Sequence, residues 1–153
     1  IQVYSDGSGY KGQIGAAAIL FCAGKAPSTL RYHLGTDKEH TVFEAEEVGL
    51  TLAAKLIATE PHLSFPLSIS IDNQASIQAG ESFYTRPGSY LADRFRRIMH
   101  QIARRNDNFE TTIRWVPGHS DIHGNEEADK LAKLAAEGRH NNSPLNDLPH
   151  YLR

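Results

Sequence analysis

The sequence is poor in the features that mark secreted, membrane-spanning or strongly charged proteins. Its 153 residues include one cysteine, Cys22, so no disulfide can form within the chain, and we expect a reducing, intracellular setting in the nucleus or cytoplasm. No apolar run approaches the ~20 residues of a membrane span, and no signal peptide is visible, so we expect no membrane partner. Lys and Arg number 16 and Asp and Glu 18, a formal charge of −2, so the composition as a whole does not indicate a polyanionic partner.

The length fits one domain with a core of ordinary size. The chain begins at Ile1 inside a strand-like pattern and its one methionine is Met99, so we expect a domain cut from a longer parent. We assign residues 1–137 to this domain. Residues 138–153 are rich in Asn, Pro and His, and we expect them to form a tail or linker.

Periodicity predicts three strands in the first part of the chain. They are Ile1–Tyr4, which stops at the turn-like cluster Ser5–Gly9, then Gln13–Cys22, which is apolar nearly throughout, and Ser28–Leu34, which alternates. The glycine-containing links between these strands suit antiparallel hairpins.

The rest of the chain alternates helices and strands. Helices are predicted over Thr41–Thr59, Ala75–Ala79, Ser89–Arg105 and from Gly124 onward, and strands over Leu67–Ile71 and around Ile113–Trp115. Three hairpin strands followed by two helix-linked strands predict an α/β fold, a five-stranded mixed sheet flanked by helices.

One glutamate of the first long helix is predicted to face inward. At ~100° per residue, Glu46 lies on the apolar side of the helix, whereas Glu44 lies roughly opposite and Glu47 to one side. We expect Glu44 and Glu47 to be solvated. An inward carboxylate is costly unless a cation or a metal ion pairs with it, so Glu46 is a candidate functional residue.

Three aspartates and a histidine stand at other suggestive positions. Asp6 and Asp72 each end a predicted strand, and His119 lies in a polar loop that leads into the helix carrying Asp129. Each residue taken singly also fits an ordinary role, a turn cap or a favourable charge in the first turns of a helix.

Taken in order, these residues lie in motifs that resemble type 1 ribonuclease H. The motifs are SDGSG at residues 5–9, the AE of VFEAEEVGL at 42–50, IDNQAS at 71–76 and WVPGHSDIHGNEEADKLA at 115–132, the last being highly specific. The resemblance covers Ile1 to about Ala136. The AE and IDNQAS stretches are most similar to the RNase H domains of LINE-type (non-LTR) retroelements, which suggests an N-terminal reverse transcriptase domain in the parent chain.

The resemblance implies an RNase H-like fold and a catalytic site. It matches Asp6, Glu46, Asp72 and Asp129 to the metal-binding carboxylates of the family, and His119 to a loop histidine that handles protons or assists product release. Hard carboxylate oxygens suit two Mg²⁺ ions, with Mn²⁺ able to substitute. The implied reaction is endonucleolytic hydrolysis of the RNA strand of an RNA/DNA hybrid, leaving 5′-phosphate and 3′-hydroxyl ends.

The implied substrate contacts lie beside these carboxylates. Gly7, Ser8 and Gln74 match positions that read the minor groove of the hybrid. Asn125 matches as well, although it equally fits a role in capping the last helix. We expect the domain to act as a monomer.

Several interpretations stay open at this stage. A degenerate module that binds nucleic acid without cutting, or a related integrase or resolvase, would share the fold, although the four matched carboxylates and the motif at 115–132 favour the ribonuclease. The arginines of Ser89–Arg105 could track a phosphate backbone or form a solvated face. Many cellular members of the family carry a Lys- and Trp-rich protrusion where this chain has the short link Gly80–Gly88, with Arg86 its one cation, so we expect weak hybrid binding by the domain alone.

Overall fold

A computed structural model of the chain describes residues 1–71, 90–115 and 123–153. The predicted helix Ala75–Ala79 and the link Gly80–Gly88 lie outside the described residues. The described strands are β1 (Gln2–Tyr10), β2 (Gln13–Phe21), β3 (Ser28–Thr36), β4 (Leu67–Ile71) and β5 (Thr111–Trp115). The described helices are α1 (Val42–Thr59), α2 (Tyr90–Arg105) and α3 (His123–Glu137).

The five strands form one mixed sheet in the order β3-β2-β1-β4-β5. β1, β2 and β3 pair antiparallel, whereas β4 pairs parallel to β1 and to β5. This architecture confirms the predicted sheet of three antiparallel strands followed by two parallel ones. β1 is the central strand, and its pairing with β4 runs through Ser5, which lies opposite Ile71.

The first strand is longer than its sequence predicts. The cluster Ser5–Gly9 was expected to be a turn after the strand, but it continues β1 and pairs with β2 as far as Tyr10, opposite Gln13. The turn comes instead at Lys11 and Gly12, whose positive φ angles of 49° and 75° suit a two-residue hairpin. Asp6 therefore lies within β1, immediately after the stretch that pairs with β4, rather than at the end of the strand.

Helices cover both faces of the sheet. Side chains alternate along a strand, so Val3 and Gly7 of β1 face α1, and Tyr4 and Asp6 face α3. The main hydrophobic core lies on the α1 and α2 side, and a smaller cluster of Tyr4, Ile19 and Ala128 lies under α3. Asp6 thus projects from the central strand on the side that α3 covers.

Helix α1 is buried around most of its circumference. The hydroxyl of its N-cap Thr41 accepts a hydrogen bond from the Glu44 nitrogen at 3.1 Å, which fixes the start of the helix. Glu46 is buried as its spacing predicts. The expectation that Glu47 is solvated was wrong, because this side chain is also buried. α1 packs on the sheet and on α2 together, so its buried surface is wider than one apolar stripe.

Residues 138–153 fold onto the domain, which differs from the expected tail or linker. They form three short 3₁₀ helices, Arg139–Asn141, Leu145–Asp147 and His150–Leu152. Leu148, which joins the second to the third, is completely buried in the main core.

Hydrogen bonds to the outer strand β3 explain why this polar segment is ordered. The Arg31 nitrogen donates to Ser143 Oγ at 2.9 Å, and the Ser143 nitrogen donates to the Arg31 carbonyl at 3.0 Å. The His33 nitrogen donates to Asn142 Oδ1 at 2.8 Å. An edge strand presents backbone groups that need partners, and the Asn and Ser of this segment supply them. None of the helices in the described ranges has the length and apolarity of a membrane span.

Candidate active site

Two glycines bring α1 into direct contact with the Asp6 segment of β1. A Cβ atom at Gly7 would lie 2.6 Å from the Glu46 nitrogen and 2.7 Å from the Ala45 carbonyl carbon. From the helix side, a Cβ atom at Gly49 would lie 2.9 Å from the Asp6 carbonyl oxygen. No side chain fits at either position without displacing backbone. The two glycines therefore hold the backbones that carry Asp6 and Glu46 in van der Waals contact.

Asp6 and Glu46 are both removed from bulk water. Asp6 is 6% exposed and Glu46 is 2% exposed. Asp6 Oδ1 accepts a hydrogen bond from the Gly7 nitrogen at 2.9 Å, which orients the carboxylate relative to its own strand. Burying ionisable carboxylates is costly, and the cost is lowest where hydrogen-bond donors or cations share the site. These two buried carboxylates, one on the central strand and one on the helix packed against it, are thus chemically unusual.

Helix α3 approaches the same strand from the other face. A Cβ atom at Gly15 would lie 2.2 Å from the Ala136 nitrogen, and one at Gly124 would lie 2.2 Å from the Tyr4 ring. These two glycines therefore allow the helix to pack directly on β2 and β1. The helix carries Asp129 between them, on the side of the sheet to which Asp6 projects.

A lysine links Asp129 to Asp6 electrostatically. Lys133 Nζ lies 2.8 Å from Asp129 Oδ2, one helical turn away. The pKa of Lys133 is raised, first by this hydrogen bond and then by the charge of Asp129, whereas burial opposes the rise and the charge of Asp6 makes the smallest contribution to it. The charges of Asp129, chiefly, and of Asp6 both favour the protonated form of Lys133, so α3 and β1 present negative charge to the same cation.

The donor set fits a divalent cation. Carboxylate oxygens are the ligands that Mg²⁺ and Mn²⁺ take, and the Lys133 ammonium already pairs with one of the predicted ligands, Asp129. Within residues 1–71, 90–115 and 123–153, no three His, Cys, Asp or Glu side chains form a ready-made metal cluster. Two members of the predicted site, Asp72 and His119, lie outside the described residues.

The predicted substrate-binding residues occupy varied environments. The Gly7 nitrogen donates a hydrogen bond to Asp6 Oδ1, and the lack of a Cβ atom at Gly7 leaves room for α1. Ser8 follows on the α3 side of β1 and is buried, as is Asn125, which is 2% exposed in the first turn of α3. The fourth, Gln74, lies outside the described residues. Sequence reasoning missed Lys133, although its spacing of four residues from Asp129 on a predicted helix is a signal for an ion pair.

Fold and site together define an α/β domain with buried carboxylates on its central strand and on the helix packed against it. The RNase H family model matches residues 1–137. The chain therefore belongs to the RNase H family of enzymes. No curated protein sequence matches it.

Solved structures support the same fold. LC11-RNase H1 in complex with an RNA/DNA hybrid is 16% identical, with a TM-score of 0.61 over 89% of this chain and 96% of that chain. The N-terminal RNase H domain of Rv2228c from Mycobacterium tuberculosis is 18% identical, with a TM-score of 0.64 over 89% and 99% of the two chains. The protease-reverse transcriptase of prototype foamy virus is 20% identical, with a TM-score of 0.62 over 90% of this chain and 21% of that one.

Proposed function

We propose that this domain hydrolyses the RNA strand of RNA/DNA hybrids endonucleolytically, by a two-metal-ion mechanism. The observation that carries the proposal is the burial of Asp6 and Glu46 on backbones in direct contact, on an RNase H family chain. A structural role does not require two buried carboxylates at such a contact. A site that receives divalent cations offsets the cost of burying them.

The residues proposed to hold the ions are Asp6, Glu46, Asp72 and Asp129. When bound, two divalent cations would supply a nucleophilic water and stabilise charge on the leaving oxygen, with Mg²⁺ the expected ion and Mn²⁺ a substitute. Asp6 lies between the two helices that pack on β1, because α1 contacts its backbone and α3 covers the face to which its side chain projects. We assign His119 to proton handling or to product release.

The proposed reaction breaks the bond between phosphorus and the 3′-oxygen. The oxygen of water forms the new bond to phosphorus, so the phosphate stays on the 5′ end of the downstream fragment. The attacking water loses a proton to solvent, and the departing 3′-oxygen takes up a proton, for which His119 is the candidate donor. The products are a 5′-phosphate and a 3′-hydroxyl.

The proposed substrate contacts follow from the same motifs. Gly7, Ser8, Gln74 and Asn125 are the candidates for contacting the minor groove of the hybrid, where 2′-hydroxyls distinguish RNA from DNA. One structural relative, LC11-RNase H1, was solved with an RNA/DNA hybrid bound. Fold likeness and family membership support this substrate class for the present chain.

We also propose that the domain derives from a LINE-type retroelement and follows a reverse transcriptase in its parent chain. The AE and IDNQAS stretches support this origin. A reverse transcriptase among the structural relatives is consistent with such an arrangement. The proposal includes action as a monomer in the nucleus or cytoplasm, since the one cysteine suits a reducing compartment.

A cleavage assay tests the proposed function. An RNA/DNA hybrid carrying a separate label on each strand is incubated with Mg²⁺, beside single-stranded RNA, double-stranded RNA and a DNA duplex. We expect cutting of the RNA strand of the hybrid alone, loss of cutting with EDTA, and loss of cutting in Asp72→Asn. Cutting of the DNA duplex would favour an integrase-like or resolvase-like enzyme. Hybrid binding without cutting, under Mn²⁺ as well, would favour a degenerate binding module.

A further inference from the structure

A second charged region lies away from the carboxylates, between the C-terminal half of α1, helix α2 and the folded tail. It is an open cleft of about 430 Å³. Its lining includes five side chains that can carry positive charge, Lys55, Arg94, Arg97, Arg105 and His150. We call this region the basic cleft.

The basic cleft has no acidic lining within the part of the chain that the structure describes. Its other lining residues are apolar or neutral, such as Ile98, Gln101 and Pro149. Elsewhere on α2, Arg96 forms an ion pair with Asp93 at 3.3 Å. Cations placed together without carboxylates repel one another, so a bound anion would stabilise the cleft.

The tail fixes one of these cations in place. The Arg94 guanidinium lies over the Tyr151 ring at 4.1 Å from its centroid. The tail is held on β3 by Ser143 and anchored in the core by Leu148, so the wall that carries His150 and Tyr151 is part of the folded domain. Stacking on an aromatic face limits the freedom of an arginine and leaves its N–H edge available to an oxygen ligand.

The basic cleft is separate from the acidic site, by which we mean the region of Asp6, Glu46 and Asp129. Lys55 follows Glu46 by nine residues, which places it about 13 Å further along α1 at 1.5 Å per residue. The cleft also lies on the α1 and α2 side of the sheet, whereas Asp6 projects to the α3 side. A strand bound in the cleft would therefore be bound outside the site of hydrolysis.

We propose that the basic cleft is a second binding site, which takes the phosphodiester backbone of a nucleic-acid strand. Arginine forks suit phosphate oxygens, and several cations along one cleft suit a chain of evenly spaced phosphates better than a single anion. An ordinary role is available for Arg105, since cations are favourable near a helix C-terminus. That role does not account for Lys55, Arg94 and the tail residues on the same wall.

The test is a binding measurement on the whole chain in EDTA, so that metal-dependent cutting cannot occur. The probe is a fluorescent single-stranded DNA, and affinity is measured by anisotropy over a range of salt concentrations. The cleft variant is Arg97→Gln with Arg105→Gln, both exposed side chains. The matched control is Arg104→Gln with Arg114→Gln, which removes the same charge from exposed positions outside the cleft.

We expect the cleft variant to bind the probe roughly tenfold more weakly and to lower the slope of log affinity against log salt by about 0.7 for each phosphate that it no longer neutralises. The control should change neither quantity. Unchanged affinity in the cleft variant, or an equally weakened affinity in the control, would overturn the proposal.

Two further arms define the ligand. Competition by inorganic phosphate as strong as that by the polymer would overturn the polynucleotide assignment in favour of a free anion, and equal competition by poly-glutamate would favour an acidic protein. A Tyr151→Leu variant should lose a smaller part of the affinity, because Arg94 keeps its charge but loses its orientation. Failure of hybrid cleavage would not affect this binding assay, so the two proposals can be judged separately.

Discussion

The part of the acidic site on β1 and α1 is buried and closely packed, whereas the basic cleft beside α2 is open to solvent. At the acidic site, backbones meet through Gly7 and Gly49, and the carboxylates of Asp6 and Glu46 are almost fully removed from water. At the basic cleft, Arg97 and Arg105 are exposed, and Arg94 lies over the Tyr151 ring. The fold thus fixes carboxylates where chemistry needs defined positions and leaves cations exposed where attraction alone is needed.

The largest expected difference between the two regions is in catalysis. Asp6→Asn should lower the rate of hybrid cleavage by more than about a hundredfold, since loss of a ligand should exceed the 10–100-fold cost of losing a residue that merely supports one. The cleft variant Arg97→Gln with Arg105→Gln should raise KM and leave kcat nearly unchanged. Steady-state kinetics on a labelled hybrid measures both. A fall in kcat in the cleft variant equal to that in Asp6→Asn would remove the distinction.

The next largest effect concerns the stability that the folded tail, residues 138–153, adds to the domain. Leu148→Ala should lower the free energy of unfolding by about 2–5 kcal/mol, because it empties a fully buried position in the main core. Urea denaturation checks this. Leu145→Ala, three residues earlier and 62% exposed, is the matched control and should change little. Equal stability of both variants would mean that the tail does not pack on the domain.

The close contact at the acidic site predicts a smaller loss of stability. Gly7→Ala would place a Cβ atom 2.6 Å from the Glu46 nitrogen, so strand and helix must separate. We expect a loss of about 1–3 kcal/mol in urea denaturation together with lower cleavage activity. Gly9→Ala on the same strand meets its nearest atoms at 3.4 Å and should be tolerated. Equal tolerance of both changes would contradict the close packing.

The smallest effect concerns the lysine at the acidic site. Lys133→Gln removes a cation that lies 2.8 Å from Asp129, so a divalent cation should bind more tightly. Both side chains are partly exposed, which limits the gain to about fivefold. Calorimetric titration with Mn²⁺ measures it. Lys130→Gln, which loses an exposed ion pair with Glu127, is the control, and a matching gain there would point to general charge rather than to Lys133.

The sequence predicted what depends on local periodicity. Alternating and helical spacing located the five strands and the three described long helices, and the angular position of Glu46 predicted its burial. The motifs identified the family that the match over residues 1–137 confirms.

The sequence did not predict features that depend on contacts between distant elements. The glycines near Asp6 suggested a turn, whereas Gly7 permits the close approach of α1, a contact with residues far along the chain. Glu47 is buried although it lies off the apolar stripe of α1, a helix that packs on both the sheet and α2. Residues 138–153 have the composition of a linker, yet they pair with the edge of β3.

The measurement that most directly tests the acidic site as a cation site is the free energy of unfolding at increasing Mg²⁺ concentration, in the wild type and in Asp6→Asn. Without Mg²⁺ we expect the variant to be the more stable by about 0.5–2 kcal/mol, since it removes a buried negative charge beside others. The wild type should then gain about 1.4 kcal/mol when Mg²⁺ reaches ten times its dissociation constant, while the variant stays nearly constant. A variant that is less stable than the wild type without Mg²⁺, and that gains as much from the ion, would contradict the account.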